Sequence, residues 1–216
     1  RTVEQLDKAC EEIRAETGRK AYSFAQDLAE VDGVAGLFEQ VLERVEGVDI
    51  LVNCAGTTAR AASEDASLAD WERVQNVNLK SVLVLSQAFC RHCRAAGKGG
   101  SIVNIGSLMC DGARPTTAAY ASSKGGLLML TKTLAVEWAQ YGINANAIGP
   151  GYIATDLTAS LQSDEEFSKW VLSKTPAGRW GRPQDLAGAA VLLASPAGAF
   201  INGQIIYVDG GWLALL

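Results

Sequence analysis

Apolar positions recur along the chain with two different periods, and the segments that carry them alternate. Val3 to Ala15 sets them at helical spacing among charges, Ala21 to Ala25 reads as a strand, and Val34 to Val45 returns to the helical pattern. Val48 to Val52 is a short apolar run of the buried-strand kind, and Asp70 to about Arg94 forms the next helix. Ser101 to Gly106 repeats the buried-strand pattern. The helix that contains Tyr120 runs to about Tyr141, with Leu127, Leu130, Leu134 and Trp138 on one stripe suited to the core or to a subunit contact. Asn144 to Ile148 reads as a strand, Thr155 to about Trp180 as a polar segment, and Pro183 opens a helix that reaches about Ala194. Gln204 to Val208 is the last strand. Strands alternating with helices predict an α/β fold, a parallel sheet covered by helices on both faces.

Composition narrows the class without changing that picture. With 216 residues, 48% hydrophobic and 20% charged, the chain suits one domain with a substantial core. A net charge of −5 and the lack of a Lys/Arg cluster argue against a nucleic-acid or anionic-membrane surface. Apolar runs such as Val82 to Leu85 and Leu127 to Leu130 are too short to cross a bilayer, and no signal peptide pattern opens the chain, so a cytoplasmic location is expected. Five cysteines fit reduced thiols better than a disulfide framework. Cys90-Arg91-His92-Cys93 continues a helical pattern, with no second ligand pair elsewhere, so no metal site is expected. A single histidine, His92, excludes multi-histidine metal chemistry and a Ser-His-Asp hydrolase.

The candidate chemistry lies in Tyr120-Ala121-Ser122-Ser123-Lys124, with Ser107 thirteen residues upstream. Residues four apart share one face of a helix, so Tyr120 and Lys124 can share one site. A phenol is a poor base near neutrality, and a fixed ammonium beside it is expected to lower its pKa. Ser107 ends a buried strand, where α/β sheets present ligands, and its hydroxyl can hold a substrate oxygen.

Further motifs surround this core. Asn53-Cys54-Ala55-Gly56 follows a strand, Asn76-Val77-Asn78-Leu79 lies in a helix, and Pro150-Gly151 precedes Ile153 and Thr155. The chain closes on Asn202-Gly203-Gln204-Ile205-Ile206-Tyr207-Val208-Asp209-Gly210-Gly211. In order and spacing these resemble the short-chain dehydrogenase/reductases, with Cys54 in place of the family's second Asn. Three stretches, Ala135 to Tyr141, Ala145 to Ile153 and Thr175 to Pro183, are similar to gluconate 5-dehydrogenases, also called 5-keto-gluconate reductases.

The resemblance implies a Rossmann-like doubly wound sheet and an NAD(P)-dependent oxidoreductase. The family's opening βαβ unit, with its Gly-x-x-x-Gly-x-Gly turn, has no counterpart in residues 1–216, so a preceding unit of roughly 35 to 45 residues is expected. Without the family's first two strands, the segment at Ala21 to Ala25 would be separated from the next strand, leaving an unpaired edge. By resemblance the catalytic residues are Asn78, Ser107, Tyr120 and Lys124, with Tyr120 as acid/base and Asn78 holding a water that links Lys124 to solvent or bracing a helix bend.

Coenzyme contacts fall by the same resemblance on Arg1, Asp27, Leu28, Asn53, Ala55, Gly56, Tyr120, Lys124, Pro150, Gly151, Ile153 and Thr155, with an N-cap as the alternative role of Asp27. Arg1 can pair with a 2′-phosphate, which favours NADP, with NAD as the alternative. Substrate contacts are assigned to Ser107, Tyr120 and Arg60, the last as a cation for a sugar-acid carboxylate or else as a plain loop arginine; Arg114 and the Thr155 to Trp180 lid are further candidates. The partner is then a small carbonyl or alcohol, gluconate and 5-keto-gluconate first, with other sugars, polyols or 3-oxoacyl thioesters as alternatives. Family resemblance also implies a homotetramer. A nucleotide-binding regulator without chemistry is the competing class, and the intact set Asn78, Ser107, Tyr120 and Lys124 argues against it.

Overall fold

The computed structural model describes residues 2–216. Helix α1 (Val3–Thr17) opens on a reciprocal cap in which Thr2 accepts from the Gln5 amide and Gln5 accepts from the Thr2 amide, and it stops at Gly18 in the left-handed conformation. Helix α2 (Val31–Leu42) precedes β1 (Ile50–Asn53), and α3 (Leu68–Gln75) runs through a π-helical turn at Asn76–Lys80 into α4 (Ser81–Ala95). The remaining order is β2 (Gly100–Ile105), α5 (Ala118–Trp138), β3 (Ile143–Pro150), α6 (Ala159–Gln162), α7 (Glu165–Lys174), α8 (Ala187–Ala194) and β4 (Ile205–Val208).

The four strands form one parallel sheet in the order β1-β2-β3-β4, with helices on both faces as the alternating pattern predicts. Successive residues of β2 show why both faces need cover. Ile102 joins a core with Phe38, Phe89, Leu134 and Ile143, whereas its neighbour Val103 joins a second core with Ile148 and Leu193. The stripe Leu127, Leu130, Leu134 and Trp138 is core packing: Leu127 and Leu134 are buried, and Leu130 and Trp138 pack against the first cluster. Cys90 and Cys93 lie in that same cluster.

Three local expectations are corrected. Ala21 to Ala25 forms no strand, because a strand exists through its ladder and the outer edge of β1 has no partner among the described residues. The strand expected at Val48 to Val52 is shifted to Ile50–Asn53 and is buried on one face alone, with Ile50 and Val52 exposed on the other. The single helix expected from Asp70 to Arg94 is divided by the π-helical turn, whose extra residue per turn a 3.6-residue pattern does not encode.

A polar seam crosses the buried sheet. Asn53 and Asn104 are register partners, and Asn53 Nδ2 donates to Asn104 Oδ1 at 2.8 Å while Asn104 Nδ2 donates to Thr131 Oγ1 at 2.9 Å. This ties β1, β2 and α5 together beneath the strand ends. Asn104→Ala leaves buried donors and acceptors unmatched and is expected to lower stability by about 1–3 kcal/mol. Chemical denaturation checks this, and an unchanged midpoint would show that the seam contributes nothing.

Candidate active site

The C-terminal ends of β1, β2 and β3 meet the N-terminal half of α5, the edge at which parallel sheets receive ligands. At the end of β2, the Ser107 hydroxyl accepts from the Met109 amide at 3.1 Å and starts a tight turn, which leaves its proton free for a partner outside the turn. One turn apart on α5 stand Tyr120 and Lys124, with Lys124 Nζ 5.7 Å from the centre of the Tyr120 ring. Lys124 is 3% exposed. Its amino group donates to the Ile105 carbonyl at 2.6 Å, so three residues of the expected set converge on one strand end.

The electrostatics differ from the expectation that the ammonium pulls the phenol down. Burial pushes the Tyr120 pKa up, a hydrogen bond with Ser107 opposes it in part, and the nearby Tyr152 adds to the rise. Burial also lowers Lys124 to about 8. Both charged forms lose hydration in the same enclosure, and that loss outweighs any attraction across 5.7 Å.

Asn78 is buried in the π-helical turn, where its side chain grips the residue after Gly56. Its Oδ1 accepts from the Thr57 amide at 2.9 Å, and its Nδ2 donates to the Thr57 carbonyl and to Ser123 Oγ, each at 2.9 Å. Asn78 therefore braces the Asn53–Gly56 turn against α5. In that turn the Asn53 side chain faces inward to the seam, while Cys54, Ala55 and Gly56 are exposed. A Cβ on Gly56 would lie 4.0 Å from Lys124 Nζ, so the glycine keeps open the approach to the amino group.

Pro150 and Gly151 extend β3, with the Gly151 amide donating to the Val208 carbonyl at 3.0 Å. A Cβ on Gly151 would meet Asp209 Cα at 2.7 Å, so this position requires glycine. Ile153 bridges to Gly181, and Thr155 starts the Asp156–Thr158 turn that leads into α6. Asp27 accepts from the Ala29 amide at 2.9 Å in a turn ahead of α2, whose N-cap is Glu30; Leu28 lies within the same turn. Arg60 is exposed in a loop tied in by the Ala61 amide donating to the Thr116 carbonyl at 3.3 Å. Arg1 lies outside the described residues.

An aromatic group escaped the sequence reading. Tyr152 packs on Phe167, Trp170, Trp180 and Trp212 at ring-centre distances of 5.7, 6.1, 5.7 and 4.8 Å. Its pKa is raised by burial and drawn back by Arg114, whose N–H donates to the Tyr152 hydroxyl, and by Arg60. Tyr152 between Gly151 and Ile153, with tryptophans downstream, was the available signal. Cys110 was also missed: its thiol contacts the Lys124 carbonyl at 3.3 Å.

The profile of a family described as enoyl-(acyl carrier protein) reductase matches residues 2–213. The 2-dehydro-3-deoxy-D-gluconate 5-dehydrogenase of Escherichia coli K12 is 44% identical over 91% of this chain and 78% of its own length. Gluconate 5-dehydrogenase of Gluconobacter oxydans is 41% identical over 98% and 82%. The crystal structure of a Burkholderia cenocepacia gluconate 5-dehydrogenase, in complex with NADP and tartrate, superposes with a TM-score of 0.94 at 42% identity, covering all of this chain and 84% of that one. The chain belongs to the short-chain dehydrogenase/reductase family. It is an NAD(P)-dependent oxidoreductase, and its sheet is the Rossmann-type sheet of that family.

The Lys124 environment makes a signed prediction. A lysine depressed to about 8 from an ordinary 10.5 is penalised while the folded protein must carry the charge, and the penalty fades as pH rises between those values. In nucleotide-free protein, the stability difference between wild type and Lys124→Met should shift in favour of wild type from pH 8 to 10.5. Parallel denaturation series check it, and a pH-independent difference would contradict a buried, depressed lysine.

Proposed function

We propose that this oxidoreductase interconverts a sugar-acid hydroxyl and ketone, gluconate and 5-keto-gluconate, with NADP as coenzyme. The observation that carries the reading is the meeting of Ser107, at the end of β2, with Tyr120 and the buried Lys124 amino group one helical turn apart on α5. Sugar-acid dehydrogenases among the relatives, and neighbours crystallised with NADP, support the substrate and the coenzyme.

The residues fit such a coenzyme. Lys124 Nζ has three N–H donors and one acceptor among the described residues, and the side-chain-free position at Gly56 leaves room for ribose hydroxyls beside it. Asp27, Leu28, Asn53, Ala55 and Gly56 would line the adenosine and diphosphate side, and Pro150, Gly151, Ile153 and Thr155 the nicotinamide side. When bound, the nicotinamide supplies or takes up a hydride. In reduction Ser107 donates a hydrogen bond to the substrate carbonyl oxygen, and Tyr120, held protonated by its burial, passes its proton to that oxygen as negative charge develops there. In oxidation Tyr120 takes the proton back. Lys124, with a pKa brought to about 8, is suited to return a proton to the tyrosine, and a water held near Asn78 would carry it from solvent.

A cytoplasmic homotetramer completes the reading. No helix among the described residues is long and apolar enough to cross a membrane. Exposed Met129 and Val136 on α5 and Leu68 and Trp71 on α3 supply apolar surface for contact between copies.

Absorbance at 340 nm with 5-keto-gluconate and either NADPH or NADH tests the assignment. Saturable turnover, better with NADPH, is expected; turnover confined to other ketones would remove the sugar-acid reading. Tyr120→Phe should lower kcat by roughly 10²- to 10⁴-fold while NADPH binding, followed by fluorescence, is retained. Near-normal turnover in that variant would remove the proton-transfer role.

A further inference from the structure

We propose that Arg114 is the residue that receives the substrate carboxylate, held for that purpose in an aromatic clamp that joins the catalytic loop to α7. The assignment rests on the sugar-acid reading above and adds the recognition element to it.

The loop that carries Arg114 is fixed on its C-terminal side. Thr117, buried, donates its hydroxyl to the Arg114 carbonyl at 2.7 Å, and Thr116 sits at φ 66°, a left-handed conformation that a β-branched residue adopts only under constraint. The guanidinium carbon lies 4.6 Å from the Trp170 ring centre and 4.7 Å from that of Phe167, and an N–H donates to the Tyr152 hydroxyl. These contacts orient the charge without neutralising it. Arg73, Arg179 and Arg182 all pair with aspartates, whereas Arg114 has no carboxylate within ion-pair distance among the described residues. The acid of its own loop, Asp111, is engaged by the Tyr207 hydroxyl at 2.6 Å.

A half-buried guanidinium faced by aromatic rings keeps most of its five donors free, and a carboxylate accepts two of them in parallel. Location selects the ligand. Tyr152, the partner of Arg114, follows Gly151 at the end of β3, and Thr117, which holds the Arg114 carbonyl, is the N-cap of α5 three residues before Tyr120, so an anion seated on Arg114 lies at the strand ends that carry the reacting centre. Arg60 stands in the loop whose Ala61 amide donates to the Thr116 carbonyl at 3.3 Å, so a second guanidinium belongs to a segment tied to the Arg114 loop.

The test uses the NADP-loaded protein and the fluorescence of the tryptophans in the clamp, with D-gluconate and its neutral amide, D-gluconamide, as probes. Arg114→Met, which keeps apolar contact with the rings, should weaken gluconate roughly ten- to a hundredfold and gluconamide by less than about threefold. Arg114→Lys should recover part of the gluconate loss, since it retains charge without the planar fork. Equal weakening of both probes, or unchanged gluconate affinity, would overturn the assignment in favour of a structural role. Loss of gluconate in Arg60→Met alone would overturn it in favour of Arg60. Wild-type protein that binds both probes equally overturns the carboxylate assignment alone, whereas wild-type protein that binds neither overturns the sugar-acid reading together with it.

Discussion

Burial of the Lys124 amino group against the Ile105 carbonyl constrains every other part of the site. An ammonium with one acceptor and 3% exposure is costly to hold, so its surroundings must be fixed rather than adaptable. Ile105 is fixed by the β2–β3 ladder, and β2 is tied to β1 and α5 through Asn53, Asn104 and Thr131. On the other side Asn78 locks Thr57 to Ser123, one residue before Lys124. The result is an amino group with unused donors beside an exposed glycine turn, which is what a polyhydroxylated ligand needs.

The same enclosure decides the protonation states. Desolvation raises Tyr120 and lowers Lys124, so the protein alone favours a neutral phenol and a lysine brought down to about 8. That state suits proton donation to a carbonyl. The reverse reaction needs phenolate, which additional positive charge in the site would favour.

Much of this was legible in the sequence because it is local. Tyr120 and Lys124 are joined by helix spacing, Ser107 by its place at a strand end, and the alternation of Ile102 and Val103 by the two-residue period of β structure. Features that depend on distant partners were not legible. Ala21 to Ala25 has strand-like residues but no ladder, and the π-helical turn that aims Asn78 leaves the helical pattern almost unchanged. The aromatic clamp joins Arg114, in the loop between β2 and α5, to Tyr152, Phe167, Trp170 and Trp212, which follow β3, and no spacing along the chain encodes that meeting. The direction of the Tyr120 shift also depended on burial, a tertiary quantity that the Tyr-x-x-x-Lys pattern does not contain.

The most direct test of the account follows a label from coenzyme to product. With NADPH deuterated at the transferable position of nicotinamide C4, reduction of 5-keto-D-gluconate should give gluconate carrying deuterium at C5, read by mass and NMR spectra. Product without that label, or no gluconate at all, would contradict direct hydride transfer to a sugar acid at the Ser107–Tyr120 site.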